Sequence, residues 1–222
     1  MKKTNMILVL AVSAAMAAMT ACGGSGQSAA PAATTAAAAA ATEAPAAQEA
    51  AAPAGDVKAI EAGVCETPAV LTSIGQSADV DIVNTICSKA GIDVTKDSAV
   101  SADTLPADCK TLILAVGGSS KGLGAAGIDA DQELARAKAL FEKAKGQGTK
   151  IVALHTGGSA RRGTLSDSFI VPAFEAADIV IVVEEGDSDG LMKGIASKNG
   201  AAMEYVKQIA DCMATLKTLF GK

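Results

Sequence analysis

The sequence predicts an α/β fold: one three-layer αβα domain around a mostly parallel sheet of four to five strands. Three observations carry that expectation. Four short apolar runs, 70–74, 112–116, 151–154 and 179–183, are continuous and rich in β-branched residues. Strands covered on both faces read this way, because neither face meets water. Segments with helical spacing lie between the runs, and such alternation is the mark of a layered sheet. Residues 56–222 are also long enough for one ordinary domain.

Each element has its own reason. After the strand at 70–74, segment 78–90 places Val83, Ile86, Cys87 and Ala90 on one helical face. A weak strand comes next at 92–95, then the strong strand at 112–116. The helix at 129–145 opens with Asp129 and Gln132 at capping-box spacing and stacks Leu134, Ala137, Lys138 and Phe141. Beyond the strand at 151–154, the helix at 166–177 is less regular because it contains Pro172. The strand at 179–183 succeeds it. A last helix is expected over 201–220, carrying Val206, Ile209, Met213, Leu216 and Phe220. With the weak strand counted second, the expected sheet order is 2-1-3-4-5, as in flavodoxin-like and Rossmann-like folds.

The chain is 50% hydrophobic but only 2% aromatic, has a single histidine and carries a net charge of -5. Nucleic-acid binding normally needs a basic surface and stacking aromatics, and this chain has neither. Sites with several histidine ligands are excluded within one chain. Much of the hydrophobicity is not core. Met1-Lys2-Lys3 is basic, residues 6–18 are apolar or small apart from Ser13, and Met19-Thr20-Ala21 precedes Cys22. This is the layout of a secretory signal over residues 1–21, too short to span a bilayer comfortably. The Thr-Ala-Cys ending resembles a bacterial lipobox. The resemblance implies cleavage before Cys22, acylation of its thiol and amine, and a lipid bilayer as partner on the extracytoplasmic face of a membrane. Residues 23–55 are mainly Ala, broken by Pro31, Pro45 and Pro53, and repeat no apolar face. That segment is expected to be a disordered tether.

The strand ends hold the most suggestive pattern. They read Gly75-Gln76-Ser77, Gly117-Gly118-Ser119 and Gly157-Gly158-Ser159, with a looser Gly186-Asp187-Ser188 after the fourth strong strand. All fall on the carboxyl edge of the sheet, where open α/β folds bind ligands. Glycine allows close backbone approach, serine supplies a hydroxyl, and free amides there attract anions. Lys121, Arg161 and Arg162 add positive charge. The expected ligand is a small anion, a carboxylate or phosphate, held by Ser77, Gly118, Ser119, Lys121, His155, Ser159 and Arg161. Gly and Ser are also the ordinary residues of short turns, and Glu184, Glu185, Asp187 and Asp189 could simply pair with the arginines.

Other motifs carry less. Gly122-Leu-Gly-Ala-Ala-Gly127 has the dinucleotide-fingerprint spacing, but the next strand ends in Leu154-His155-Thr156 rather than an acid for the ribose. No P-loop ending completes Gly118-Ser-Ser-Lys121, and no Gly-x-Ser-x-Gly elbow is present. No cofactor or metal is expected. His155 stands open between general base, ligand contact and structural residue. A hydrolase or transferase using His155 is the alternative function, and an interaction domain serving a membrane transporter or sensor is another. Cys87 and Cys212 sit on apolar helix faces and read as buried thiols. Cys65 and Cys109 each precede a strand, and those strands are neighbours in the expected order. They are expected either to form a disulfide, which export permits, or to stay unpaired.

Residues 112–131 (Leu-Ile-Leu-Ala-Val-Gly-Gly-Ser-Ser-Lys-Gly-Leu-Gly-Ala-Ala-Gly-Ile-Asp-Ala-Asp) and 151–163, ending His-Thr-Gly-Gly-Ser-Ala-Arg-Arg-Gly, resemble an uncharacterised family of bacterial secreted lipoproteins. The resemblance covers roughly residues 68–220. It implies a surface-tethered α/β domain and transfers no activity and no catalytic residue.

Overall fold

The computed structural model describes residues 55–222. The expected signal, Cys22 and the Ala-rich segment up to residue 54 lie outside the described residues. The elements in chain order are β1 (Ala69–Ile74), α1 (Asp79–Lys89), β2 (Val94–Lys96), β3 (Thr111–Val116), α2 (Ser120–Ala126), α3 (Ala130–Gln147), β4 (Lys150–His155), α4 (Thr164–Ala176), β5 (Ile179–Val183), α5 (Leu191–Asn199), β6 (Ala202–Val206) and α6 (Cys212–Leu219). The strands form one six-stranded sheet in the order β2-β1-β3-β4-β5-β6. Every pairing is parallel.

The two faces of the sheet bury different sets of residues, as the period of two along a strand requires. Val70, Leu112, Leu114, Ile151, Ala153 and Val180 point to the side covered by α2, α3, α4 and α5, with Phe169 and Phe174 wholly buried there. Ala69, Leu71, Ile113, Val152, Leu154 and Ile181 point to the side covered by α1 and α6. Three layers result. The continuous apolar strands are explained by this, since β1 and β3 are buried at all six positions each.

The expected order 2-1-3-4-5 is present, and a sixth strand extends it. That strand corrects the helix expected over 201–220. Residues Ala202–Val206 pair with β5, a short 3-10 turn lies at Ile209–Asp211, and only Cys212–Leu219 is α-helical. Edge position is the physical reason: β6 is half-buried, so it lacks the unbroken β-branched run of the inner strands. The weak strand shifts slightly, to Val94–Lys96. α2 and α5 are additional helices. The Asp129 capping box forms as expected, with Asp129 Oδ1 accepting from the Gln132 amide at 2.8 Å and Gln132 Oε1 accepting from the Asp129 amide at 2.9 Å. α4 runs through Pro172.

Before β1, the chain lies along the outer edge of the sheet. Lys58 makes a parallel bridge to Ala202, and the Met203 amide donates to the Lys58 carbonyl at 2.9 Å. Among the described residues, no helix is long and apolar enough to cross a membrane.

Candidate functional site

From β1 the chain crosses one way to β2, and the next strand, β3, lies on the other side of β1. The connections leaving β1 and β3 therefore run to opposite faces of the sheet, and a crevice opens between their loops. The β1 loop begins with Gly75 at φ 94° and continues with Gln76 at φ 56°. Left-handed backbone is rare for a non-glycine residue and needs local support. That support is a buried ion pair on α3. Glu133, with no exposed surface, accepts from the Gly75 amide at 2.9 Å, from Gln76 Nε2 at 3.2 Å, and from Arg136 at 2.7 Å. Arg136 in turn donates to the Ser73 carbonyl at 2.6 Å and to the Val100 carbonyl. Gln76 bridges to Gly118 in the neighbouring loop.

The crevice has a volume of about 540 Å³ and is lined by Gln76, Ser77, Asp81, Ser119, Lys121 and Gly122, among others. Ser77 is buried, and its hydroxyl accepts from the Asp79 amide at 3.2 Å. Ser119 caps α2 by accepting from the Gly122 amide at 3.0 Å. Gly118 donates its amide to Ser166 Oγ at 3.2 Å. Lys121 is exposed and makes no ion pair among the described residues, whereas Asp81 on the rim is paired with Lys96 at 2.5 Å. Gly122 has a steric purpose: a Cβ there would lie 1.9 Å from the Gln76 carbonyl oxygen. The fingerprint-like spacing thus serves the close approach of α2 to the β1 loop.

The β4 side differs. His155 is wholly buried. Its Nδ1 lies 3.2 Å from the Val116 carbonyl, which can only accept, so Nδ1 carries the proton. Nε2 is then a bare acceptor, and it has no partner. Burial lowers the His155 pKa below its ordinary value of 6.5. Ser159 Oγ donates to Glu185 at 3.0 Å. Arg162 donates to Asp167 at 2.7 Å, to Asp189 at 2.9 Å and to the Gly186 carbonyl at 2.7 Å. It is committed to the fold, as the acidic run near 184–189 allowed. Arg161 reaches Asp79 at 3.5 Å instead.

Of the expected ligand residues, Ser77, Ser119 and Lys121 line one crevice, and Gly118 does not, although it bridges to Gln76, which does. His155 ends β4, and Ser159 and Arg161 belong to the loop after it. Asp79 was not anticipated; in sequence it reads as an ordinary acid in the first turn of α1. Cys65, Cys87, Cys109 and Cys212 are all buried free thiols. Cys65 and Cys109 are therefore not joined, and they pack into the hydrophobic clusters on opposite faces of the sheet. Burial pushes the Cys65, Cys87 and Cys212 thiols up to about 11, and Cys109 in the same direction. Among the described residues no group of His, Cys, Asp and Glu is placed to hold a metal. A second crevice, about 550 Å³, opens at the opposite, amino edge between Lys58, Ile60, Lys150 and Asp178.

Fold and crevice together define an open parallel α/β domain with a ligand-sized recess at its switch point. The chain belongs to the family described as Domain of unknown function (DUF6305), whose model matches residues 66–220. No curated protein matches it. Among solved structures it is similar to a carbohydrate kinase from Agrobacterium tumefaciens, at 12% identity and a TM-score of 0.32, covering 61% of this chain and 53% of that one. It is also similar to the structure of TesA, at 13% identity and a TM-score of 0.28, covering 61% of this chain and 76% of that one. The chain thus spans about half the length of the kinase, and neither likeness bears on activity.

Proposed function

We propose that the chain is a membrane-anchored binding module that captures a small anion at the β1–β3 crevice. In this reading the leader through Ala21 is removed, Cys22 is acylated, and the Ala-rich segment holds the domain off the extracytoplasmic face. The lipobox-like ending at Cys22 supports the anchor; paired lipid chains anchor by burying methylenes, at roughly 0.8 kcal/mol each. The observation that carries the ligand reading is Lys121. It is a cation without an ion-pair partner among the described residues, beside the Ser77 and Ser119 hydroxyls, in a recess whose wall is preorganised by the Glu133–Arg136 pair. A carboxylate or a phosphate suits that chemistry. Arg161 takes no part in this crevice, because its charge is directed at Asp79. A membrane transporter or sensor is the partner to which such a module hands its ligand.

The test is a thermal-shift comparison of the full-length protein with acetate and inorganic phosphate, repeated on Lys121→Ala. One of these anions should stabilise the native protein, and the variant should lose that response. An unchanged response in Lys121→Ala sinks the crevice as the site. Labelling with radioactive palmitate should be lost in Cys22→Ser; retained label removes the anchor.

A further inference from the structure

Asp79 is an anomaly next to the crevice. Its side chain is buried, with the residue only 3% exposed, yet Oδ2 has no hydrogen-bond partner. Its other oxygen meets Arg161 Nη2 at 3.5 Å, well beyond the 2.7–2.9 Å usual for a charge-assisted contact. The fold is capable of satisfying a buried carboxylate, as Glu133 shows with close donors on both oxygens. At Asp79 it does not. A buried charge left short of donors is costly, and such groups mark places where a ligand completes the set.

Oδ2 is closed to solvent, so a donor reaches it only after a neighbouring side chain moves. Gly117 borders Oδ2, and a Cβ there would lie 3.4 Å from Oδ2 and 3.5 Å from Ser77 Oγ. Arg161 lies across Gly157, where a Cβ would lie 2.1 Å from Arg161 Cγ, so glycine is needed for the arginine to reach over. The Arg161 side chain is 48% exposed and ends a 3-10 turn, Ser159–Arg161, so it can swing. Asp79 is its one ion-pair partner among the described residues, which leaves guanidinium donors free for an anion. Among the described residues no group of His, Cys, Asp and Glu is placed to hold a metal with Asp79.

We infer that Asp79 and Arg161 form a second subsite, distinct from the Lys121 crevice, that takes a small zwitterion of the α-amino-acid class. The ammonium donates to Asp79 Oδ2, and the carboxylate accepts from Arg161. Neither half suffices, because each leaves one member of the pair facing an unmatched charge.

Calorimetric melting of the full-length protein tests this with each common α-amino acid, with acetate and with methylammonium, all at the same concentration. At least one amino acid should raise the melting temperature of Lys121→Ala, in which the anion crevice is disabled, by about 2 °C or more, and acetate and methylammonium should not. Asp79→Asn, which keeps the shape, and Arg161→Gln should each weaken that response at least about tenfold. Arg161 is half-exposed, so its variant carries the test if Asp79→Asn fails to fold. Lys121→Ala should leave the amino-acid response intact, which separates this subsite from the anion crevice. The inference is overturned if no amino acid stabilises, if acetate alone matches the amino acid in Lys121→Ala, or if Arg161→Gln responds like the native protein.

Discussion

Gly117-Gly118-Ser119 and Gly157-Gly158-Ser159 are the same three letters after adjacent strands, β3 and β4, and they are held in different ways. The first turn is fixed by backbone. Gly117 and Ser119 donate to the Ile74 and Gly75 carbonyls, both at 2.9 Å, and Ser119 caps α2. Behind it stands the wholly buried Glu133. The second turn adds side-chain pairs to the backbone bonds of its 3-10 turn: Ser159 on Glu185, Arg162 on Asp167 and Asp189. The residues just after each serine decide the difference. Ser120-Lys-Gly-Leu continues as helix, while Ala160-Arg-Arg ends in Gly163 at φ 126° before α4 can begin. A shared triplet therefore specifies a turn and not its stability or its chemistry.

The contrast can be broken at its buried end. Glu133→Gln should destabilise the fold by about 3 to 5 kcal/mol, measured by urea unfolding, because it leaves the Arg136 charge uncompensated. The corresponding cut at the second turn, Arg162→Gln, should cost about 1 to 2 kcal/mol, since Asp189 is half-exposed and its attraction is screened. Salt should reduce the Arg162 effect and leave the Glu133 effect nearly unchanged.

A proton sharpens the same comparison. His155 ends β4 beneath the second turn and stays neutral through burial. The unfolded chain protonates near 6.5 and the folded chain resists, so the unfolded state binds more protons in that range. Stability should be full above that value and should fall as the pH drops below it. His155→Gln should flatten the slope, as read by denaturation at about pH 7.5 and about pH 5. The smallest pair is the serines themselves. Ser119→Ala should cost about 1 kcal/mol through loss of a helix cap, while Ser159→Ala should stay within about 0.5 kcal/mol. Equal costs would erase the distinction between the turns.

Most of the sheet was legible because β1, β3, β4 and β5 are buried on both faces, and apolar runs report that directly. β6 was not, since an edge strand such as Ala-Met-Glu-Tyr-Val needs only one dry face and its residues suit a helix equally. α2 hid behind Gly122 and Gly124, poor helix formers; at Gly122 the reason, room for the Gln76 carbonyl, is tertiary. In the crevice, the placement of Ser77, Ser119 and Lys121 was legible from their position at strand ends. Asp79 was not, because nothing local distinguishes a helix-start acid exposed to water from one sealed under an arginine. The free Cys65 and Cys109 teach the same lesson: they precede neighbouring strands, yet they pack into clusters on opposite faces of the sheet.

The all-parallel sheet has a consequence for how the chain reaches its native state. Among the described residues no two strands form a hairpin, and each pairing, even Ile179 with Ala202, closes a loop long enough to contain a whole helix. Loop entropy must be lost before any ladder forms, so nucleation cannot be local. The domain should fold more slowly than a helical bundle of equal length, and its newly made chain should spend correspondingly longer unfolded.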